Sequence, residues 1–255
     1  MTTGTSQAAH GARVLEAAAS SLATYEKLFG RYPYVDLDVV EAPLVGGAGG
    51  VEFSGLVTVA SMLYRPALSE GPMGMLAGLL GGAGHDARVK ELTDSMLEFV
   101  TAHEVAHQWW PGLVGSDSRQ HPFQDEALAQ WSAVLHIKER YGPERAKLEA
   151  DRQVLANYHT MRLLGSDDGA VDRPVDAFSG ELAYAGLVYG KGPFFYRELQ
   201  KALGDAVFFE RMAMRSPGAT SRSMPRMISS LPKCLRNPVT RSRGEEVSVF
   251  VMVRG

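Results

Sequence analysis

Residues 103–126 restrict what this chain can fold into more than any other stretch. His103 and His107 stand four apart, Glu104 follows the first, and eighteen residues separate His107 from Glu126. In a helix that turns about 100° per residue, positions four apart lie about 40° apart, so both imidazoles can face one ion. Zinc suits such a pair, because it takes neutral nitrogen ligands in a tetrahedral shell. Glu104 falls on the flank of that face, where a general base for water belongs. A catalytic zinc takes three protein ligands and keeps one position open. "PGLVGSDSRQHP" reverses the chain, and "FQDEALAQWSAV" begins a second helix with Glu126 near its start. Glu126, Ala129, Ala133 and Ile137 share one face of it, and the two alanines permit a close approach. A buried carboxylate is costly unless paired or bound to metal, which marks Glu126 as third ligand. His121 and Asp125 are the nearby alternatives. His121 precedes a proline in the turn, and Asp125 points elsewhere on the helix. The first helix also carries Leu92, Met96, Val100 and Trp110 on the histidine stripe, so that stripe is expected to face a core. Two core histidines would fit the same pattern.

The rest of the chain supplies a sheet ahead of these helices and more helices behind them. Arg13 to Phe29 has helical periodicity, with Val14, Ala18, Leu22 and Tyr25 on one face and Gly30 as its stop. "VDLDVVEAPLV" and "VEFSGLVTVAS" read as two strands separated by "GGAGG". Helices are expected over 88–110, 123–141 and 143–164, and again over "LVYGKGPFFYRELQKALG". Sheet first and helices afterwards gives an α+β class, with a small mixed sheet followed by a mainly helical part. Residues 1–211 form the expected catalytic domain.

Beyond that boundary the composition changes. The 44 residues 212–255 hold seven Arg and one Lys against two Glu, about +6, whereas the whole chain carries −3. They read as a disordered basic tail or as a non-native continuation, with a nucleic-acid-binding arm as the remaining alternative. The net charge of −3 gives no reason to expect nucleic acid or an anionic membrane as the main partner. Cys234 is the single cysteine, which excludes an internal disulfide. No apolar run reaches the ~20 residues a spanning helix needs. "GPMGMLAGLLGGAG" at 71–84 is the nearest and reads as a mobile loop. The polar start lacks the order of a secretory signal, so a cytoplasmic location is expected. The chain has neither a P-loop nor a G-x-S-x-G elbow. The glycines at 46–50 lead into a strand, not the helix that a dinucleotide site requires.

"HEVAHQWW…DEALAQW" resembles the M1 family of zinc aminopeptidases, whose signature is HExxH, eighteen residues, then Glu. The resemblance runs from about Val14 to Phe209 and implies a thermolysin-like gluzincin catalytic domain. It implies one zinc per chain, held by His103, His107 and Glu126, with Glu104 as general base. "GGVEF" at 49–53 stands where the family has G-x-M-E-N. Gly49 and Glu52 agree with that motif, Val51 replaces Met, and Phe53 departs from Asn. The match implies that this strand binds substrate and that Glu52 recognises a free α-ammonium by a charge-assisted hydrogen bond. "AYAGLVYGKG" is similar to the segment that ends Y-E-K-G in the family. Tyr189 takes the place of the oxyanion-donating tyrosine, 63 residues after Glu126, and Gly190 replaces the usual acidic residue. Tyr184 matches another active-site tyrosine of some members. The expected function is therefore hydrolysis of N-terminal residues from peptides. A zinc-binding but inactive peptide-binding module and a gluzincin endopeptidase are the alternatives. The family's β-rich domain ahead of the catalytic one and helical domain behind it would be the missing neighbours.

Overall fold

The computed structural model describes residues 3–45, 48–64 and 85–213. The expected loop at 71–84 and nearly all of the expected tail lie outside the described residues. α1 (Thr3–Phe29) buries Val14, Ala17, Ala18, Tyr25 and Phe29 along one side, as its periodicity requires. It ends at Gly30, whose φ of 105° only glycine adopts readily.

β1 (Asp38–Ala42), β2 (Gly50–Phe53) and β3 (Leu56–Ala60) form one mixed sheet in the order β1-β3-β2. β1 runs parallel to β3 and β2 antiparallel to it. The second expected strand is therefore a hairpin. Its apolar run is interrupted at Ser54-Gly55, where Gly55 takes φ 75° and turns the chain. A short helix, α2 (Ser61–Tyr64), follows and buries Leu63 and Tyr64.

α3 (His85–Ala106) crosses from the sheet to the helical part. Its buried apolar residues are Leu97, Phe99, Ala102, Val105 and Ala106. Leu92 and Met96 are 47% and 42% exposed, so the expected apolar stripe does not face a core in the first half of the helix. The buried positions are those turned towards α1, α2 and the sheet, a face rotated from the one that spacing alone suggested. The helix also stops short of Trp110. Gln108 and Trp109 bond to carbonyls three residues back, and the chain tightens into a turn. The Trp110–Pro111 peptide within it is cis.

α4 (Pro122–Tyr141) starts on a proline, which suits the first turn of a helix. It is buried almost all round from Pro122 to Ile137, which makes it the central helix of the core. α5 (Pro143–Glu149), a π-helical stretch (Ala150–Leu155) and α6 (Ala156–Leu163) fill the span expected to be helical. α7 (Glu181–Tyr184) passes through a second π-helical stretch (Ala185–Lys191) into α8 (Gly192–Leu203), and α9 (Asp205–Met212) closes the body. Trp109, Trp110, Tyr25, Phe29, Phe123 and Tyr196 are fully buried and mark the middle of the core. The architecture is α+β. No helix among the described residues is long and apolar enough to cross a membrane.

Candidate metal centre

α3 and α4 pack side by side, and their facing side chains bring three nitrogen and oxygen atoms together. His103 Nε2 and His107 Nε2 are 3.1 Å apart, and Glu126 Oε2 lies 3.3 Å from the first and 3.4 Å from the second. Ligands at about 2.0–2.2 Å from one tetrahedral ion stand about 3.3–3.6 Å from each other. The triangle is thus close to the size of one face of a zinc shell. Two imidazole nitrogens directed at each other across that gap need something between them or a shared proton. Glu126 Oε2 is buried with no conventional hydrogen-bond partner. The chemistry and spacing of these donors fit a zinc ion.

The turn after α3 prepares one ligand. His107 Nδ1 bonds to the carbonyl of Trp110, which leaves the Nε2 lone pair free to ligate. Charges here are strongly coupled. Burial by itself pulls His107 down, but Glu126, with Glu52 and Glu104, carries it up to about 10. Burial works against the Glu126 charge too, yet His107 and His103 hold it well below the ordinary carboxylate range. A cation at this point can take over what the imidazolium does for Glu126.

Glu104 sits beside the triangle, 4% exposed, with Oε2 unpartnered. Burial pushes it up, the two histidines pull it down, and Glu126 and Glu52 push it up again, to about 7. Glu52, on β2, faces the same space. Its carboxylate, that of Glu104 and a ring nitrogen of His107 lie within 4.8 Å of one another. Gly49, immediately ahead of that strand, accepts a hydrogen bond from the Ala60 N–H at 2.8 Å. Phe53 is 57% exposed.

Tyr189 comes from the second π-helical stretch, and its ring lies 5.9 Å from that of His103. Tyr184 meets Tyr189 edge to face at 5.7 Å. Burial, then the Glu126 charge, raises both phenols well above their ordinary value, so both stay protonated donors. All eight residues singled out from the sequence therefore belong to this region, Gly49 through its strand.

The two alternative ligands are engaged elsewhere. His121 Nδ1 bonds Asp172 at 2.7 Å, and Asp125 accepts hydrogen bonds from Ser116 and Ser118. Gly50 was not anticipated. A Cβ at that position would stand 2.3 Å from Glu104 Cδ, so β2 passes directly over the carboxylate. Its glycine pair is the only local sign of such contact. At Gly190 a Cβ would stand 2.6 Å from the backbone nitrogen of Tyr158, which explains why no acidic side chain fits there.

A model of the peptidase family M1 domain matches residues 85–215. Aminopeptidase M1-A of Oryza sativa subsp. japonica is 26% identical over 209 residues, covering 81% of this chain and 21% of that protein. Aminopeptidase M1-B of the same plant is 27% identical over 217 residues, covering 80% of this chain and 21% of that protein. The chain spans about one fifth of the length of these relatives. The family match takes in more than half of the chain, including both helices of the triangle and the tyrosine pair: this chain belongs to peptidase family M1.

Proposed function

We propose that the chain is the catalytic part of a zinc aminopeptidase, acting on peptides with a free N-terminus. The observation that carries this reading is the triangle of His103, His107 and Glu126 with two further carboxylates at its edge. One zinc ion held by those three residues supplies a Lewis acid for the scissile carbonyl and lowers the pKa of water. Glu104 accepts the proton of the attacking water and hands it to the departing amine, a role that suits a carboxyl poised near neutrality. Tyr189 keeps its proton and donates a hydrogen bond where negative charge develops on the carbonyl oxygen. Glu52 accepts hydrogen bonds from the substrate ammonium. Tyr184 stands behind Tyr189 and limits how its ring can turn.

The names of the two rice relatives support the aminopeptidase reading, as does the position of Glu52. The test has two stages. The purified chain should carry about one zinc, and a His103→Ala variant almost none. The zinc-loaded chain should then release the first residue of unblocked peptides and leave N-acetylated ones intact. Cleavage of both alike would identify an endopeptidase, and stoichiometric zinc with peptide binding but no cleavage would identify an inactive module.

A further inference from the structure

The strand that carries Glu52 is laid along the metal helix at three points. A Cβ on Gly49 would stand 3.2 Å from Val100 Cγ1, and one on Gly50 would stand 2.3 Å from Glu104 Cδ. Further along, Gln108 Nε2 donates to the Phe53 carbonyl at 2.8 Å, and Gln108 Oε1 accepts from the Gly55 N–H at 2.9 Å. Val100, Glu104 and Gln108 are spaced four apart, so β2 runs lengthwise over one row of side chains. At the first two points the bare glycine backbone packs against Val100 and Glu104 with no hydrogen bond to hold its register. Among the described residues, Gln108 alone supplies side-chain hydrogen bonds at this seam. It is 1% exposed, and both ends of its amide are used, one on each side of the hairpin turn. Its neighbour His107 is one corner of the ligand triangle, and Phe53 follows Glu52. One side chain therefore ties the backbone next to the ligand to the backbone next to the amine acceptor.

We infer that Gln108 is a positioning residue that fixes the distance between Glu52 and the metal centre, and with it the demand for a free α-ammonium. The inference rests on the aminopeptidase reading above. A peptide bound by its ammonium at Glu52 presents its first carbonyl to the metal only if that distance is kept. A displacement of about 1 Å at a reacting centre is enough to cost about a hundredfold in rate. Zinc binding does not depend on it, because His103 and Glu126 belong to the helix pair and His107, just past the end of α3, is held by its own bond to the Trp110 carbonyl.

The test uses the whole zinc-loaded chain and calorimetric titration with L-alanine hydroxamate and its N-acetyl derivative. These probes share the small alanine side chain and the hydroxamate, and acetylation replaces the ammonium with a neutral amide. The ratio of their affinities does not depend on how much of a preparation is folded. Gln108→Leu removes both hydrogen bonds, whereas Gln108→Glu keeps the size and the acceptor but loses the donor to Phe53. In both variants the preference for the free amine should fall about tenfold or more, with zinc per chain as in the parent. Should Gln108→Leu fail to fold, Gln108→Glu decides. An undiminished preference in a zinc-loaded variant overturns the role of Gln108 and leaves the aminopeptidase reading standing. No preference in the parent overturns both.

Discussion

Glu104 and Glu126 are carboxylates in one site, yet their surroundings drive them in opposite directions. Glu126 faces both imidazoles and stays ionised, while Glu104, buried beside other carboxylates, sits near neutrality. Such divergence separates a ligand from a proton carrier. Glu104→Gln preserves shape and hydrogen bonding but cannot accept a proton. It should keep about one zinc per chain and lose about 10²–10⁴ in kcat, measured on an unblocked peptide. Substantial residual turnover would remove Glu104 from the general-base role. The same reasoning shows what the sequence could tell at this scale. The convergence of His103, His107 and Glu126 was legible because four-residue spacing and the eighteen-residue interval translate directly into helix geometry. Gly50 was not, since a missing side chain states its purpose only when the neighbour it makes room for is in place.

Among the elements, the two π-helical stretches and the hairpin are where pattern and structure part. Periodicity distinguishes helix from strand, but it does not report one extra residue in a turn, and a Ser-Gly turn inside an apolar run leaves the alternation nearly intact. The strand pairing of β2 with β3 was thus hidden in a single apparent strand, although its residues had been assigned to a sheet correctly. The burial of α3 was hidden for a different reason. Which face of a helix is covered depends on where its partners stop, and Leu92 and Met96 lie on a face that the described residues leave open. Close packing of the second π-helical stretch on α6 makes a prediction. Gly190→Ala forces a methyl group against the Tyr158 backbone. It should lower stability by about 1–3 kcal/mol, read from denaturant midpoints. A stable variant would mean that α6 yields readily. Another prediction concerns the seam of α1, α3 and α4. Glu98 accepts from His136 Nε2 at 3.3 Å and from Tyr141 Oη at 3.0 Å, and Arg140 lies alongside. Burial opposes the Glu98 charge, but these partners win and hold it below its ordinary value. A lowered carboxylate contributes stability above its unfolded-state pKa and loses it as pH falls through the folded one. Glu98→Gln should therefore cost about 1–2 kcal/mol near neutrality, and the difference should fade as the solution is taken below about pH 4.

For the whole molecule, the candidate metal centre joins helices that also hold the core together. α3 and α4 pack on one another and on α1, and Tyr25 Oη donates to the Ala102 carbonyl between them. An ion bound only by the folded state stabilises it by mass action, about 2.7 kcal/mol at a free concentration one hundred times Kd. In a body of this size each kcal/mol shifts Tm by about 2–4 °C, so chelation should lower Tm by about 5–10 °C. Differential scanning calorimetry with and without a chelator checks this, and an unchanged Tm would mean that no metal supports the fold. The α+β class was legible in full, because the order of strands and helices along the chain fixes it. The edge of the body was less so. Met212, placed at the start of the tail, is 4% exposed and packs with α9 into the core.

The three candidate ligands and the proposed base lie within 24 consecutive positions, whereas Tyr189 follows Glu126 by 63 residues. On a ribosome that adds about 5–20 residues per second, that interval lasts several seconds. The helix pair with its complete donor set has by then left the tunnel's reach well ahead of the tyrosine. On the proposed reading, the donors that would hold the metal and the tyrosine that would assist cleavage therefore emerge as separate events.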